Sequence, residues 1–163
     1  MRIGQGFDVH PLAPGRRLVL GGVEIDHPLG LAGHSDADVL SHALGDALLG
    51  GAGLGDLGRY FPDSDPDLKG VSSLKLLGRI AAMVREKGLS LVNADLTLLA
   101  ERPRIAPHAE LMRERLSEAL GTDPDRILVK ATTTEGLGLV GREEGMAALA
   151  VVLLAEEEDL RRP

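Results

Sequence analysis

The chain of 163 residues carries 18 Lys or Arg against 25 Asp or Glu, a formal net charge of −7, and a length that fills one hydrophobic core predicts a single domain over residues 1–155 with a charged tail over 156–163. Nucleic acid is excluded as a partner, because its phosphates are held by clustered Lys and Arg and its bases by aromatic platforms, whereas Phe7, Tyr60 and Phe61 are the only Phe, Tyr or Trp. The absence of cysteine leaves His and carboxylate to hold any metal, and no stretch reaches the ~20 apolar residues of a membrane span, so a cytoplasmic chain with no membrane partner is expected.

Arg2–His10 reads as an extended segment, Leu18–Asp26 as an apolar hairpin with Gly21-Gly22 at its turn, and Pro28–Ser35 as a loop. Val39, Leu40, Ala43, Ala47 and Leu48 recur at helical spacing behind the cap residues Ser35 and Asp36, which predicts a first helix over Asp36–Leu49. Gly50–Gly70 is dense in Gly, Pro and Asp and reads as a long irregular connection, of the kind that is commonly functional in a compact domain. Ser72 or Ser73 opens a second helix that runs to Lys87, with Leu74, Leu77, Ile80, Ala81 and Val84 inward and Gly88 as its stop. Leu89–Ala100 reads as a strand. Beyond Pro103 and Pro107 a third helix, Ala109–Leu120, ends at Gly121, and Ile127–Thr133 is a β-branched strand. A loop through Glu135 and Gly141 leads to Met146–Leu154, an apolar run without alternation that suits a strand covered on both faces. The fold class that follows is α/β (α+β), a mixed β-sheet with helices packed on one face. Few aromatics and Ala- and Gly-rich surfaces point to close subunit packing, hence an oligomer.

Three groupings carry chemistry. Asp8 and His10 alternate on the first strand and so point to one face. Asp38, His42 and Asp46, at i, i+4 and i+8, share a face of the first helix and set an imidazole between two carboxylates. Together the two elements offer one carboxylate and two imidazoles, the ligand set of a zinc ion with an open fourth position, and further carboxylates to hold the His42 tautomer. A strand-end hydrogen bond for Asp8 and His10, and a structural role for His42, are the plain alternatives. His27 and His108 belong to no such group and read as surface residues. Gly33-His34-Ser35-Asp36 precedes the first helix, whose N-terminus favours an anion, although capping by Ser35 is the plainer role. Lys130–Glu135 ends a strand in hydroxyls and one carboxylate, a set suited to phosphate oxygens and Mg²⁺ or to strand packing alone.

Four stretches extend the reading: Arg2-Ile3-Gly4-x-Gly6-Phe7-Asp8-Val9-His10, Gly33-His34-Ser35-Asp36-Ala37-Asp38, Phe61-Pro62-Asp63-Ser64-Asp65 and Lys130-Ala131-Thr132-Thr133-Thr134-Glu135. In this order and spacing, from Met1 to about Leu154, the chain resembles the 2-C-methyl-D-erythritol 2,4-cyclodiphosphate synthases of non-mevalonate isoprenoid biosynthesis. The resemblance implies a homotrimer with an active site in each cleft between neighbouring subunits, and a phosphorus–oxygen lyase activity. In that reaction the 2-phosphate of 4-diphosphocytidyl-2-C-methyl-D-erythritol 2-phosphate attacks the β-phosphorus, closing the cyclic diphosphate and expelling CMP. It implies Zn²⁺, or another divalent transition ion, at Asp8, His10 and His42, and Mg²⁺ or Mn²⁺ at Glu135 and the substrate diphosphate. His34 and Thr133 match catalytic residues, Thr133 as a transition-state stabiliser, while His34 and Ser35 match the loop that meets substrate phosphate.

On the substrate side the resemblance also counts Asp8, His10 and Asp46. Asp56, Leu57, Gly58, Phe61, Pro62, Asp63, Ser64 and Asp65 match segments that hold the ribose and methylerythritol portions. Ala100, Glu101, Arg102, Pro103, Arg104, Ile105 and Ala106, with Thr132, match the cytidine pocket, and Ala131 and Thr134 lie beside it. Leu139, where many members carry Phe, and Arg142 match positions near the threefold axis. Arg104 stands where Lys is frequent, and Gln5 where His is frequent. Two other readings share the Asp8, His10 and His42 set. A zinc-dependent phosphohydrolase would release a hydrolysed ester, and a non-catalytic trimeric binding domain would close the fourth position of the metal.

Overall fold

In a computed structural model the described residues are 1–62 and 64–156; Asp63 and the expected tail over 157–163 lie outside them. Strand β1 (Arg2–Pro14) continues beyond the expected His10, because Leu12, Ala13 and Pro14 pair with a short strand, β4 (Leu29–Leu31). That pairing turns part of the expected 28–35 loop into sheet, and three residues are too few to display alternation. Between them, β2 (Leu18–Leu20) and β3 (Val23–Ile25) form the expected hairpin, with Gly21 and Gly22 at φ 55° and 73°, the left-handed pair that a tight hairpin turn demands.

Helix α1 (Val39–Gly51) starts later than the sequence suggested, and its N-cap is Asp38 rather than Ser35 or Asp36. The Asp38 carboxylate accepts from the Ser41 amide (3.2 Å) and hydroxyl (2.6 Å) and from the Gly21 and Gly22 amides (2.8 and 2.7 Å). It therefore caps the helix and pins the hairpin turn to it at once. Burial, joined by the nearby Asp36 charge, pushes this carboxyl up against the hydrogen bonds from the Ser41 hydroxyl and the Gly21 and Gly22 amides. The irregular 50–70 connection contains one short helix, α2 (Leu57–Tyr60), and a single turn at Pro66–Leu68. Helix α3 (Ser73–Glu86) stops at Gly88, φ 71°, and α4 (Ala109–Leu120) stops at Gly121, φ 66°, as expected of left-handed C-terminal residues. Between and after them run β5 (Leu89–Leu99), β6 (Ile127–Thr132), a short helix α5 (Gly138–Gly141) inside the expected loop, and β7 (Gly145–Glu156), which absorbs the first residue of the expected tail.

The sheet order is β4-β1-β7-β5-β6, with β5 and β6 parallel and the other pairs antiparallel. This is the mixed sheet that was expected, and α1 lies along β1 and β7 while α3 packs on α1 and α4 on α3 and β6. Leu40, Leu44 and Leu48 of α1 close over Leu96, Leu98 and Val152 of the sheet, with Leu77, Ile80 and Met112 completing a dry core. Among the described residues the opposite face carries no helix. Ile3 (75% exposed), Phe7 (55%), Val9 and Val151 stand open on it, so within one chain β7 is covered on one face and not on both. No described helix is long and apolar enough to cross a membrane.

β1 lies directly against the backbone of α1. A Cβ placed on Gly4 would lie 1.9 Å from the Ala47 carbonyl oxygen, and one on Gly6 would lie 1.9 Å from that of Ala43. Only glycine lets a strand lie this near a helix backbone. Gly6→Ala should therefore lower the unfolding free energy by about 3 kcal/mol or more, measured by urea denaturation. Gly50→Ala, exposed on α1 with only a distant neighbour, should instead raise it by about 0.5–1 kcal/mol. Equal effects at the two positions would refute the packing account.

Candidate functional site

The same contact aligns the polar end of β1 with α1. Asp8 and His10 follow Gly4 and Gly6 on the helix-facing side of the strand, and His42 projects from α1 toward them. His10 Nε2 lies 3.0 Å from His42 Nδ1 and 3.0 Å from Asp8 Oδ2, and His42 Nδ1 lies 3.1 Å from Asp8 Oδ2. Among the described residues these three form a group able to hold a metal ion. The near-equilateral triangle approaches the edge of about 3.3 Å that a tetrahedral shell with ~2.0–2.1 Å bonds requires, so the donor set fits a zinc-like ion with one position left free. Burial alone would raise the Asp8 carboxyl, but the hydrogen bonds and charges of His10 and His42 override it and hold the group well below the ordinary carboxylate range. It stays ionised, as a ligand must.

The carboxylates expected to flank His42 hydrogen-bond to backbone amides rather than to its ring. Asp38 points into the hairpin turn as described above. Asp46 accepts from the Leu57 amide at 2.8 Å and so holds the start of α2; burial, opposed by that bond and reinforced by Asp56 and Asp8, pushes its carboxyl up. The outer face of the His42 ring is met by hydroxyls instead, with Ser73 Oγ 2.9 Å and Ser35 Oγ 3.1 Å from Nε2. On His10 the outer nitrogen, Nδ1, is 2.9 Å from the Ala32 carbonyl.

These residues open on a cleft of about 630 Å³. One wall is the 32–35 loop with His34 and Ser35; the other is Asp46, Leu57, Gly58, Phe61 and Pro62. Ser35 accepts the Ala37 amide (3.1 Å) in a local turn and does not cap α1. His34 donates from Nε2 to the Asp65 carbonyl (2.9 Å), which ties the loop to the 61–68 segment. Phe61 is buried beneath the Arg79 guanidinium at 4.8 Å, Asp56 caps α2 and Asp65 caps the following turn, while Ser64 is exposed. A residue that the sequence did not single out, Arg16, reaches the carbonyls of Leu31, Gly33 and Ser35 (3.2, 3.0 and 3.1 Å) and clamps the loop from behind. A lone Arg beside a hairpin carries no signature of that reach.

The remaining expected site residues lie in the segments that follow β5 and β6 and precede β7, and do not line this cleft. Glu101 Oε1 accepts the Thr134 amide and hydroxyl (2.9 and 3.1 Å) and the Gly136 amide (3.4 Å), binding the 100–106 segment to the loop after β6; these donors hold its carboxyl low. Thr133 donates to Glu135 (3.1 Å), and Glu135 takes the left-handed φ of 54°. Ala131, Thr132 and Thr133 are exposed, as are Arg102 and Arg104, whereas Ala100 and Ile105 are buried and Pro103 is half-buried, with Ala106 exposed at the next turn. Leu139 is exposed and Arg142 forms a two-point pair with Glu144 (2.9 Å each). One chain therefore assembles the metal half of the expected site and, separately, the hydroxyl half. His27 and His108 are half-buried rather than free surface; His27 Nδ1 donates to the Leu29 carbonyl (2.8 Å).

Against known proteins, the YgbB family model matches residues 1–155. A 2-C-methyl-D-erythritol 2,4-cyclodiphosphate synthase from Dehalococcoides mccartyi is 57% identical over 157 residues, 96% of this chain and 100% of that protein. Among solved structures, the bifunctional IspDF from Campylobacter jejuni superposes with a TM-score of 0.91 at 46% identity, over 94% of this chain and 42% of that one. A CDP-bound 2C-methyl-D-erythritol-2,4-cyclodiphosphate synthase superposes with a TM-score of 0.86 at 42% identity, over 94% of this chain and all of that one.

The three hydrogen bonds to Glu101 make a direct check of the hydroxyl half. In Glu101→Ala the Thr134 and Gly136 amides should exchange with solvent about tenfold faster, read by hydrogen–deuterium exchange, while the amides of α1 keep their rates. Unchanged exchange at 134 and 136 would mean that the loop is held by other contacts.

Proposed function

The chain belongs to the YgbB family, and on that premise we propose that it converts 4-diphosphocytidyl-2-C-methyl-D-erythritol 2-phosphate to 2-C-methyl-D-erythritol 2,4-cyclodiphosphate and CMP, as a phosphorus–oxygen lyase. The observation that carries the reading is the Asp8, His10 and His42 triangle, open on one side to a cleft walled by His34 and Ser35. Zn²⁺ on that triangle and Mg²⁺ or Mn²⁺ at Glu135, when bound, supply Lewis-acid polarisation and neutralisation of the diphosphate. The 2-phosphate of the substrate is its own nucleophile, so the chain has only to position the reacting groups and stabilise charge. The 33–35 loop, clamped by Arg16 and tied to Asp65, presents His34 and Ser35 to phosphate oxygens. Asp46 fixes Leu57 and Gly58 at the opposite wall, where the ribose and methylerythritol portions would lie with the 61–65 segment. The 100–106 segment, joined to Thr132–Thr134 through Glu101, suits the cytosine base, a role in keeping with the CDP-bound relative.

The two halves stand apart in one chain, and this supports a homotrimer whose neighbours bring Thr133 and Glu135 to the metal cleft. The helix-free sheet face, with Ile3, Phe7, Val9 and Val151 exposed, is the apolar surface that such an assembly would bury.

Two measurements test the reading. In a phosphorus NMR assay with the substrate, Zn²⁺ and Mg²⁺, CMP and the cyclic diphosphate should appear together and a chelator should stop both; CMP with a linear phosphate would instead identify a hydrolase, and no turnover by metal-loaded protein a binding domain. In subunit-exchange experiments, His42→Ala and Thr133→Ala, each inactive alone, should recover up to about a quarter of parental activity when mixed, the share of sites in random trimers that pair two intact halves. No recovery after demonstrated exchange would put each site within one chain.

A further inference from the structure

We propose that Ser73, braced by Asp36, is a positioning residue that fixes the ring of His42 so that Nδ1 faces the metal. The inference rests on the reading of Asp8, His10 and His42 as metal ligands. It follows from the direction in which protons must run. The Asp36 carboxylate can only accept, and it takes both the Ser73 hydroxyl, through Oδ1, and the Ser73 amide, through Oδ2 at 3.0 Å. With its proton committed to Asp36, Ser73 Oγ meets His42 Nε2 at 2.9 Å as an acceptor. Nε2 then carries the ring proton, and the lone pair is left on Nδ1, the atom 3.0 Å from His10 Nε2 and 3.1 Å from Asp8 Oδ2.

Ser35 also touches Nε2, at 3.1 Å, but it does not set this polarity. Its Oγ accepts the Ala37 amide (3.1 Å) and lies 3.4 Å from Ser73 Oγ, and no carboxylate holds its proton. By itself it would serve either tautomer. Because Ser73 has already made Nε2 a donor, the Ser35 proton is released toward Ser73 Oγ or toward an anion in the cleft. Ser73 is itself only 1% exposed, so its hydroxyl is shielded from bulk water. His10 is oriented by the same logic, since the Ala32 carbonyl beside its Nδ1 (2.9 Å) can only accept and Nε2 is left for the cluster. Each imidazole thus has an acceptor on its outer nitrogen, the arrangement that fixes metal-binding histidines generally. Ser73 opens α3 and Asp36 lies just ahead of α1, so the device also locks these two helices around the site.

The test compares parent and Ser73→Ala by Zn²⁺ competition against a chromogenic chelator, with ¹⁵N NMR of the zinc-loaded parent alongside. Zinc affinity should fall about tenfold to hundredfold in Ser73→Ala. In the parent, His42 should show a metal-bound Nδ1 and a protonated, slowly exchanging Nε2, and in the variant that Nε2 proton should exchange faster. Affinity within twofold of the parent, or a parental His42 bound through Nε2, would overturn the inference while leaving the metal reading intact. A parent that binds no Zn²⁺ would overturn the metal reading and this inference with it. If Ser73→Ala does not fold, the parental NMR signature decides.

Discussion

The whole site depends on how closely β1 can approach α1. Asp8 and His10 belong to the strand and His42 to the helix, so the triangle they form at 3.0–3.1 Å is a direct readout of the separation of the two backbones. That separation is set one and two pleats earlier, where Gly4 and Gly6 lie directly under the carbonyls of Ala47 and Ala43. Any side chain there would lift the strand away from the helix, and the three ligand atoms would part by a comparable amount. The alternation of β1 is therefore continuous in purpose: Gly, Gly, Asp, His on one face, first contact and then chemistry, with Ile3, Gln5, Phe7 and Val9 on the other face.

Around this contact, polar anchors link segments that are distant in sequence. Asp38 joins the 21–22 turn to the start of α1, Asp36 joins the loop ahead of α1 to α3, Asp46 joins α1 to α2, and Arg16 closes the 31–35 loop from behind. Each is a charged group whose donors or acceptors include backbone atoms, and hydrogen bonds to charged groups are the stronger kind. They explain how a connection as irregular as residues 50–70 can present Leu57, Gly58, Phe61 and Pro62 in one wall of a cleft.

What the sequence disclosed, and what it hid, follows from range. The order of strands and helices, the hairpin at Gly21-Gly22 and the stops at Gly88 and Gly121 are local signals and were legible. So was the pairing of Asp8 with His10, since strand alternation alone puts them on one face, and its union with His42. The carboxylates of Asp38 and Asp46 make no hydrogen bond to the His42 ring, although helical spacing does bring them to one face and Asp46 still feels the His42 charge. Both carboxylates are claimed by backbone amides from elsewhere in the fold, at Gly21, Gly22 and Leu57, and no periodicity reveals such claims. Ser73 was visible only as the opening of a helix, because its contact with His42 spans 31 residues. The three-residue strand Leu29–Leu31 and the helices Leu57–Tyr60 and Gly138–Gly141 are too short to show a period at all.

An electrostatic constraint ties the site to its proposed substrate. The chain is acidic by seven charges, and the cleft is lined by Asp8 and Asp46 with neither Lys nor Arg among the described residues that line it; the nearby Arg16 donates to loop carbonyls. A diphosphate entering this cleft would meet like charge. Burial pushes the Asp46 carboxyl up, and the smaller upward contributions of Asp56 and Asp8 are this same like-charge repulsion felt by the protein itself. Asp8, His10 and His42 would hold a divalent ion whose charge would reverse the sign of the field in the cleft, and that ion would supply Lewis-acid polarisation to a phosphate group there. On the proposed function the cleft would be a cation site first and an anion site only through the cation, and the orientation of the two imidazoles would be the feature on which substrate recognition turns.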